Sequence, residues 1–264
     1  MMEVRHVSKT FNPGTINEKK ALQDLSLKLE DGDFVTVIGG NGAGKSTLLN
    51  MIAGVYPVDC GHIILDGKDI SLLPEHKRAA LIGRVFQDPL MGTASDMMIE
   101  ENLALAKRRG QKRILRWGVL GEEREEYKKQ LARLGLGLEE RLTSKVGLLS
   151  GGQRQAITLL MSTLKKPSLL LLDEHTAALD PLTAKKVLDL TQELVNEEKL
   201  TTLMITHNMQ DAIRIGNRLI MMYDGRIIYD VRGEEKQKLT VEALHKKFRE
   251  AAGEEFSDDR AILI

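Results

Sequence analysis

Short, uninterrupted apolar runs along the chain alternate with longer stretches in which apolar residues recur every three or four positions. FVTVI (34–38) predicts a buried strand, and STLLNMIA (46–53) predicts a helix stopped by Gly54. SLLLLDE (168–174) and LTTLMITH (200–207) predict two further buried strands, separated by a helical stretch over 182–198. IGRVF (82–86) is another strand candidate. RLIMMYDGRIIYDV (218–231) reads as two strands around Asp224-Gly225, a dipeptide that favours a hairpin turn. Strands and helices alternating in this way predict an α/β fold with a largely parallel sheet. From about residue 88 to residue 165 the strand signal stops and helical pattern takes over, which predicts an all-helical subdomain inserted into the sheet domain. The core then covers about 1–87 and 166–232, with a C-terminal helix and tail over 233–264; the last stretch, GEEFSDDRAILI, reads as frayed.

Composition narrows the function classes. A chain of 264 residues buries a real core. Lys plus Arg and Asp plus Glu both number 38, so nothing in the overall charge drives binding to nucleic acid or to an anionic membrane without a local patch. One basic run, KRRGQKRILR (107–116), carries six basic residues and no acid; a solvated face is the simpler reading, and a surface for anionic lipid headgroups the alternative. Cys60 is the single cysteine, which leaves no internal disulfide framework and suits a reducing compartment. MMEVRHVSKTF has no apolar signal core, and no apolar run reaches the roughly 18 residues that cross a bilayer. The expectation is a soluble, cytoplasmic chain that reaches any membrane through a partner.

The candidate chemistry lies in five places. GGNGAGKS (39–46) follows a predicted strand and opens a predicted helix, the context in which G-x-x-x-x-G-K-[ST] binds phosphates. Its backbone N–H groups would wrap the β- and γ-phosphates of a nucleotide, Lys45 would neutralise them, and the Ser46 hydroxyl would ligand Mg²⁺. LLLLDE ends in Asp173, placed to hold the Mg²⁺ shell, and Glu174, a carboxylate able to polarise an attacking water. His207 and Gln87 each follow a strand candidate. A lone histidine is more often structural and Gln87 alone reads as a polar strand terminus, but the C-terminal ends of parallel strands converge on the ligand crevice. In LSGGQRQ (149–155), Ser150 and Gln153 fit a capping box. The box does not explain Gly151 and Gly152, each of which costs about 0.5–1 kcal/mol against alanine in a helix. Without side chains they offer N–H groups at a positive helix end to an anion.

Taken in this order, GGNGAGKS, Gln87, LSGGQ, LLLLDE, AALD and His207 resemble the ATP-binding cassette ATPases, the motor subunits of ABC transporters, over residues 3 to about 232. LSGGQ is the specific element, because phosphate-binding loops occur in many ATPases. The resemblance implies one nucleotide-binding domain over 1–264: a P-loop ATPase core with a mostly parallel sheet, an antiparallel β subdomain and an inserted all-helical subdomain. It implies that Gly39, Gly40, Asn41, Gly42, Ala43, Gly44, Lys45, Ser46 and Thr47 hold ATP, and that Ser46, Gln87 and Asp173 hold Mg²⁺. Ser150, Gly151, Gly152 and Gln153 become contacts to the γ-phosphate of ATP bound by a second copy of the chain. Asp180 couples the two sites of that ATP-sandwich homodimer. Glu174 takes the role of general base, His207 that of γ-phosphate switch, and Gln87 that of sensor toward the partner. Phe11 fits the aromatic that stacks on adenine, and fits equally a core phenylalanine.

The implied partners are an integral membrane permease and, in a complete import system, an extracellular substrate-binding protein, with the chain at the cytoplasmic face of the cell membrane and no nucleic acid bound. The run VFQDPLMGTASDMMIEENLALAKRRG (85–110) resembles ATPases paired with permeases of the branched-chain amino-acid type, some of which are thought to import tryptophan or tyrosine. Two departures from the family's pattern stand out. His175 follows Asp-Glu where a small residue or proline is usual, with a possible effect on loop stiffness or pH response. NPGTINEKK (12–20) reads as a loop insertion beside Phe11. The alternative class is a soluble cassette ATPase acting on nucleic acid or ribosomes; such proteins usually carry long coiled-coil insertions or two cassettes, and neither is seen here. An exporter ATPase is the other alternative.

Overall fold

The computed structural model describes residues 1–111 and 118–252. The chain forms two compact units, Met1–Arg78 with Lys199–Ile264, and Ala79–Glu198. Along the first unit run β1 (Met2–Phe11), β2 (Lys19–Leu29), β3 (Phe34–Ile38), α1 (Lys45–Ala53), β4 (Cys60–Leu65), β5 (Lys68–Asp69) and α2 (Glu75–Arg78). The second unit holds β6 (Ile82–Val85), α3 (Ile99–Lys107), α4 (Gly121–Ala132), 3-10 turns at Leu138–Glu140 and Val146–Leu148, α5 (Gly151–Thr163), β7 (Leu169–Asp173) and α6 (Pro181–Glu198). The chain then returns to the first unit with β8 (Thr202–Ile205), α7 (Met209–Arg214), β9 (Arg218–Tyr223), β10 (Arg226–Arg232), α8 (Gly233–Gln237) and α9 (Val241–Ala252).

The first unit contains an antiparallel sheet in the order β2-β1-β4-β5 and a second set of strands in the order β10-β9-β3-β8. In the second set β8 and β9 run parallel to β3 on either side, with Val37 opposite Ile205 and Ile220. All five residues of β3 are buried, as expected for a strand covered on both faces. β9 and β10 form the hairpin, and its turn residues Asp224 (φ 44) and Gly225 (φ 72) both take the left-handed conformation that a two-residue turn of this twist demands. β1 and β2 keep an alternating buried face but change register between Val4 and Val7 and again up to Thr10, so bulges interrupt the two-residue period. The stretch expected to be a loop through residue 20 is shorter than that, since Lys19 and Lys20 pair with Phe11 and Thr10 and open β2.

In the second unit β6 and β7 pair in parallel, with Val85 opposite Leu172. Between them the described residues form helices and 3-10 turns around a core that includes Ile99, Leu103, Leu131, Leu138, Ile157 and Leu160, with one isolated bridge between Met98 and Lys145. A fork of two hydrogen bonds, 2.6 and 2.8 Å, joins Arg124 on α4 to buried Glu100 on α3. The described part of the basic run is taken up by such contacts. Lys107 pairs with Glu126, Arg108 with Glu123 at 2.9 Å, and Arg109 donates to the Ser162 and Lys165 carbonyls at the end of α5. Residues 112–116 of that run, and the tail from residue 253, lie outside the described residues. No helix among the described residues is long and apolar enough to cross a membrane.

Candidate functional site

Strand β3 delivers the chain into the loop at Gly39, and the loop turns into α1 at Gly44. Gly44 has φ 99, and a Cβ there would lie 2.5 Å from the Ala21 carbonyl oxygen, so only glycine lets the loop pass β2 this closely. The hairpin turn props the same loop, with the Gly225 N–H donating to the Ala43 carbonyl at 3.1 Å. α1 has no side-chain cap and no acidic residue in its first turn. Its positive end is therefore left for an anion, and the bare, glycine-lined cradle fits a polyphosphate. Lys45 is buried, with Nζ donating to the Gly39 and Gly40 carbonyls at 2.7 and 3.1 Å. Asn41, Gly42 and Ser46 are exposed, and Thr47 is half-buried.

Phe11 ends β1 half-buried, with the ring of Tyr56 edge-on at 5.2 Å and the Lys9 ammonium 5.7 Å from its centroid. Asp59 fixes this strand end by accepting from Lys9 Nζ at 2.7 Å and from the Thr10 N–H at 2.6 Å. Tyr56 was not anticipated in the sequence, where a single aromatic in an α1–β4 connection carries no signal. His207 is exposed just beyond β8, and the next residue, Asn208, caps α7 by accepting from Gln210 and Asp211 N–H at 2.9 and 3.2 Å.

The remaining predicted residues belong to the second unit. Asp173 is the last residue of β7, and its carboxylate lies 3.6 Å from the Arg84 guanidinium. An aspartate carboxylate is a hard oxygen donor of the kind that Mg²⁺ accepts. Strand β7 stops one residue short of the expected strand end, because Glu174 adopts φ 45. His175 is buried, with Nε2 3.0 Å from Thr191 Oγ1. Burial pushes its imidazole down to about 4, so it stays neutral near pH 7. Gln87 is exposed in the bend after β6.

At α5 the capping box is present: Ser150 Oγ accepts from the Gln153 N–H at 3.3 Å, and Gln153 Oε1 accepts from the Ser150 N–H at 3.2 Å. The two glycines separate in kind. A Cβ on Gly152 would meet Thr183 Cγ2 at 2.1 Å, so packing against α6 demands this glycine. A Cβ on exposed Gly151 would meet only Leu179 Cδ2, at 3.3 Å. Asp180 caps α6, accepting from the Thr183 N–H at 3.1 Å ahead of Pro181 at the first helical position. Hydrogen bonds from Thr183 hold its carboxyl below the usual carboxylate range. Buried Gln155, two residues past LSGGQ, donates from Nε2 to the Phe86 carbonyl at 3.1 Å and so ties α5 to the residue before Gln87. Its apolar neighbours gave no sequence cue to that bond.

A phosphate loop entered from a buried parallel strand, a strand ending at Asp173 with Glu174 next in the chain, and a capped Gly-Gly helix start are features of a nucleotide-hydrolysing cassette. Residues 22–177 match the family described as ABC transporter, and the chain belongs to that family as an ATP-binding, ATP-hydrolysing subunit. It is similar to the tyrosine transport ATP-binding protein of Clostridioides difficile strain R20291, 45% identical over 95% of this chain and 100% of that protein. It is 35% identical to the carnitine transport ATP-binding protein OpuCA of Listeria monocytogenes over 86% of this chain, spanning 54% of that longer protein. Among solved structures, a dimeric ATP-binding cassette in a post-hydrolysis state bound to ADP and Pi matches with a TM-score of 0.74 at 27% identity, over 88% of this chain and 98% of that one. An ADP-bound cassette of an ABC transporter matches at 0.75 with 29% identity, over 90% and 93%.

Proposed function

We propose that this chain powers the import of an amino acid, tyrosine or a close aromatic analogue, through a separate membrane permease. The observation that carries the reading is the end-to-end similarity to a tyrosine transport ATP-binding protein. Two copies would close on two ATP molecules, each held by the loop Gly39–Thr47 of one copy and met by Ser150, Gly151, Gly152 and Gln153 of the other. Phe11 would stack on adenine, and Lys45 would leave its loop carbonyls to neutralise the phosphates. Ser46, Gln87 and Asp173 would hold Mg²⁺, which neutralises phosphate charge when bound. Glu174 would take the proton of the attacking water, His207 would contact the γ-phosphate, and Asp180 would couple the two sites. Gln87 would report the nucleotide state to the permease, so that closing and reopening of the dimer rocks it between its two states. An extracellular binding protein would deliver the solute, and the chain would sit at the cytoplasmic face of the membrane.

Glu174→Gln tests the core of this scheme. The variant binds ATP but does not cleave it, and elutes as a dimer in size exclusion with ATP. A variant that binds ATP yet elutes as a monomer at every concentration contradicts the sandwich.

A further inference from the structure

The residue after Glu174 does work of its own in the second unit. Glu174 is a non-glycine residue at φ 45, a left-handed conformation that L-residues adopt rarely and keep only where the surroundings over-determine it. On one side Asp173 is fixed as the end of β7. On the other side the Ala177 N–H closes a turn onto the Glu174 carbonyl at 2.9 Å, which is too local to fix the turn's orientation by itself. His175 anchors the turn to α6. Its ring is buried, and Nε2 meets Thr191 Oγ1 at 3.0 Å in the middle of α6. The Thr191 hydroxyl donates to the Val187 carbonyl at 2.7 Å, so toward His175 it presents an acceptor, and the imidazole is the tautomer with its hydrogen on Nε2. Asp180 pins the far end of the same segment to the first turn of α6. The segment 174–180 is thus tied to one helix at two points.

We propose that His175 is a positioning residue that holds Glu174 in its left-handed conformation, and so aims its carboxylate, through the buried hydrogen bond to Thr191. This rests on the reading of Glu174 as general base. A misaimed base slows the chemical step and leaves nucleotide binding alone, because its energy is expressed only in the transition state.

The test measures ATP turnover and ATP KM for the full chain carrying Thr191→Val, His175→Leu or His175→Gln, with Glu174→Gln as reference and thermal midpoints for each. Thr191→Val conserves shape and removes the acceptor. His175→Leu fills most of the volume without a donor, and His175→Gln places an N–H donor near the position of Nε2. The expected result is that Thr191→Val and His175→Leu lose about tenfold in kcat with KM changed less than about twofold, while His175→Gln recovers most of the rate. Wild-type kcat in both donor-acceptor knockouts, with Glu174→Gln inactive, overturns the positioning role alone. A loss that follows the thermal midpoint and is not recovered by His175→Gln also overturns it. Undiminished turnover in Glu174→Gln overturns the reading of Glu174 itself, and the positioning role with it.

Discussion

Helices α1 and α5 both begin beside glycines, Gly44 before the first and Gly151-Gly152 within the second, and they begin differently. α1 leaves its N-terminus without any side-chain cap, at the end of a loop whose glycine at 44 is forced by the Ala21 carbonyl. α5 caps itself, with Ser150 and Gln153 exchanging hydrogen bonds across the first turn. The first leaves its positive end open to an anion. The second caps its own helix and still presents exposed Gly151, where among the described residues a Cβ would press on the Leu179 side-chain tip alone. Glycine at position 152 has an ordinary cause, the close approach of Thr183, whereas a Cβ at 151 would meet, among the described residues, the tip of the Leu179 side chain at 3.3 Å. A helix end that is stable by itself yet bare at one exposed position suits a contact made with another molecule.

The largest effect should come from charge at that bare position. Gly151→Asp sets a carboxylate where a partner's γ-phosphate would lie, so turnover should fall by about 100-fold or more while ATP binding to the same chain survives. Lost binding would make the two helix ends alike, both serving the chain's own nucleotide. Next in size, Gly152→Ala should lower stability by about 1–3 kcal/mol through overpacking, and Thr183→Ser in that background should recover much of it. Gly151→Ala should stay within about 0.5 kcal/mol of the parent in the same denaturation experiment. Equal losses at 151 and 152 would erase the distinction drawn between them. Ser150→Ala should remove about 1 kcal/mol of stability, as the loss of an N-cap does, with no change in ATP binding to the variant's own phosphate loop.

Much of this was legible in the sequence where a local rule acts alone. β3, α1 with its Gly54 stop, the hairpin around Asp224-Gly225 and the Ser150–Gln153 box each follow from a run, a cap or a turn dipeptide, and each stands at or near the expected residues. β1 was harder to see because its bulges break the alternation at Val4, Val7 and Lys9. The cause of Gly152 was hidden because it depends on Thr183, distant in sequence and adjacent in space. The same holds for His175 and Thr191, and for Gln155 and Phe86: a buried hydrogen bond between two elements has no local signature. The left-handed backbone of Glu174 was not legible either, since such a conformation is a product of what surrounds it.

The central claim is that the self-capped helix end of one copy completes the phosphate loop of another. Mixing two inactive variants tests it directly. Lys45→Ala damages only the phosphate loop and Gly151→Asp only the α5 start, so a mixed dimer keeps one site in which both halves are intact. Turnover should reappear on mixing, up to about a quarter of the wild-type rate, because half of the dimers are mixed and each keeps one of two sites. A mixture as inactive as either variant alone, under conditions where the wild-type chain dimerises with ATP, would mean that both halves must come from the same chain, and the account would be wrong.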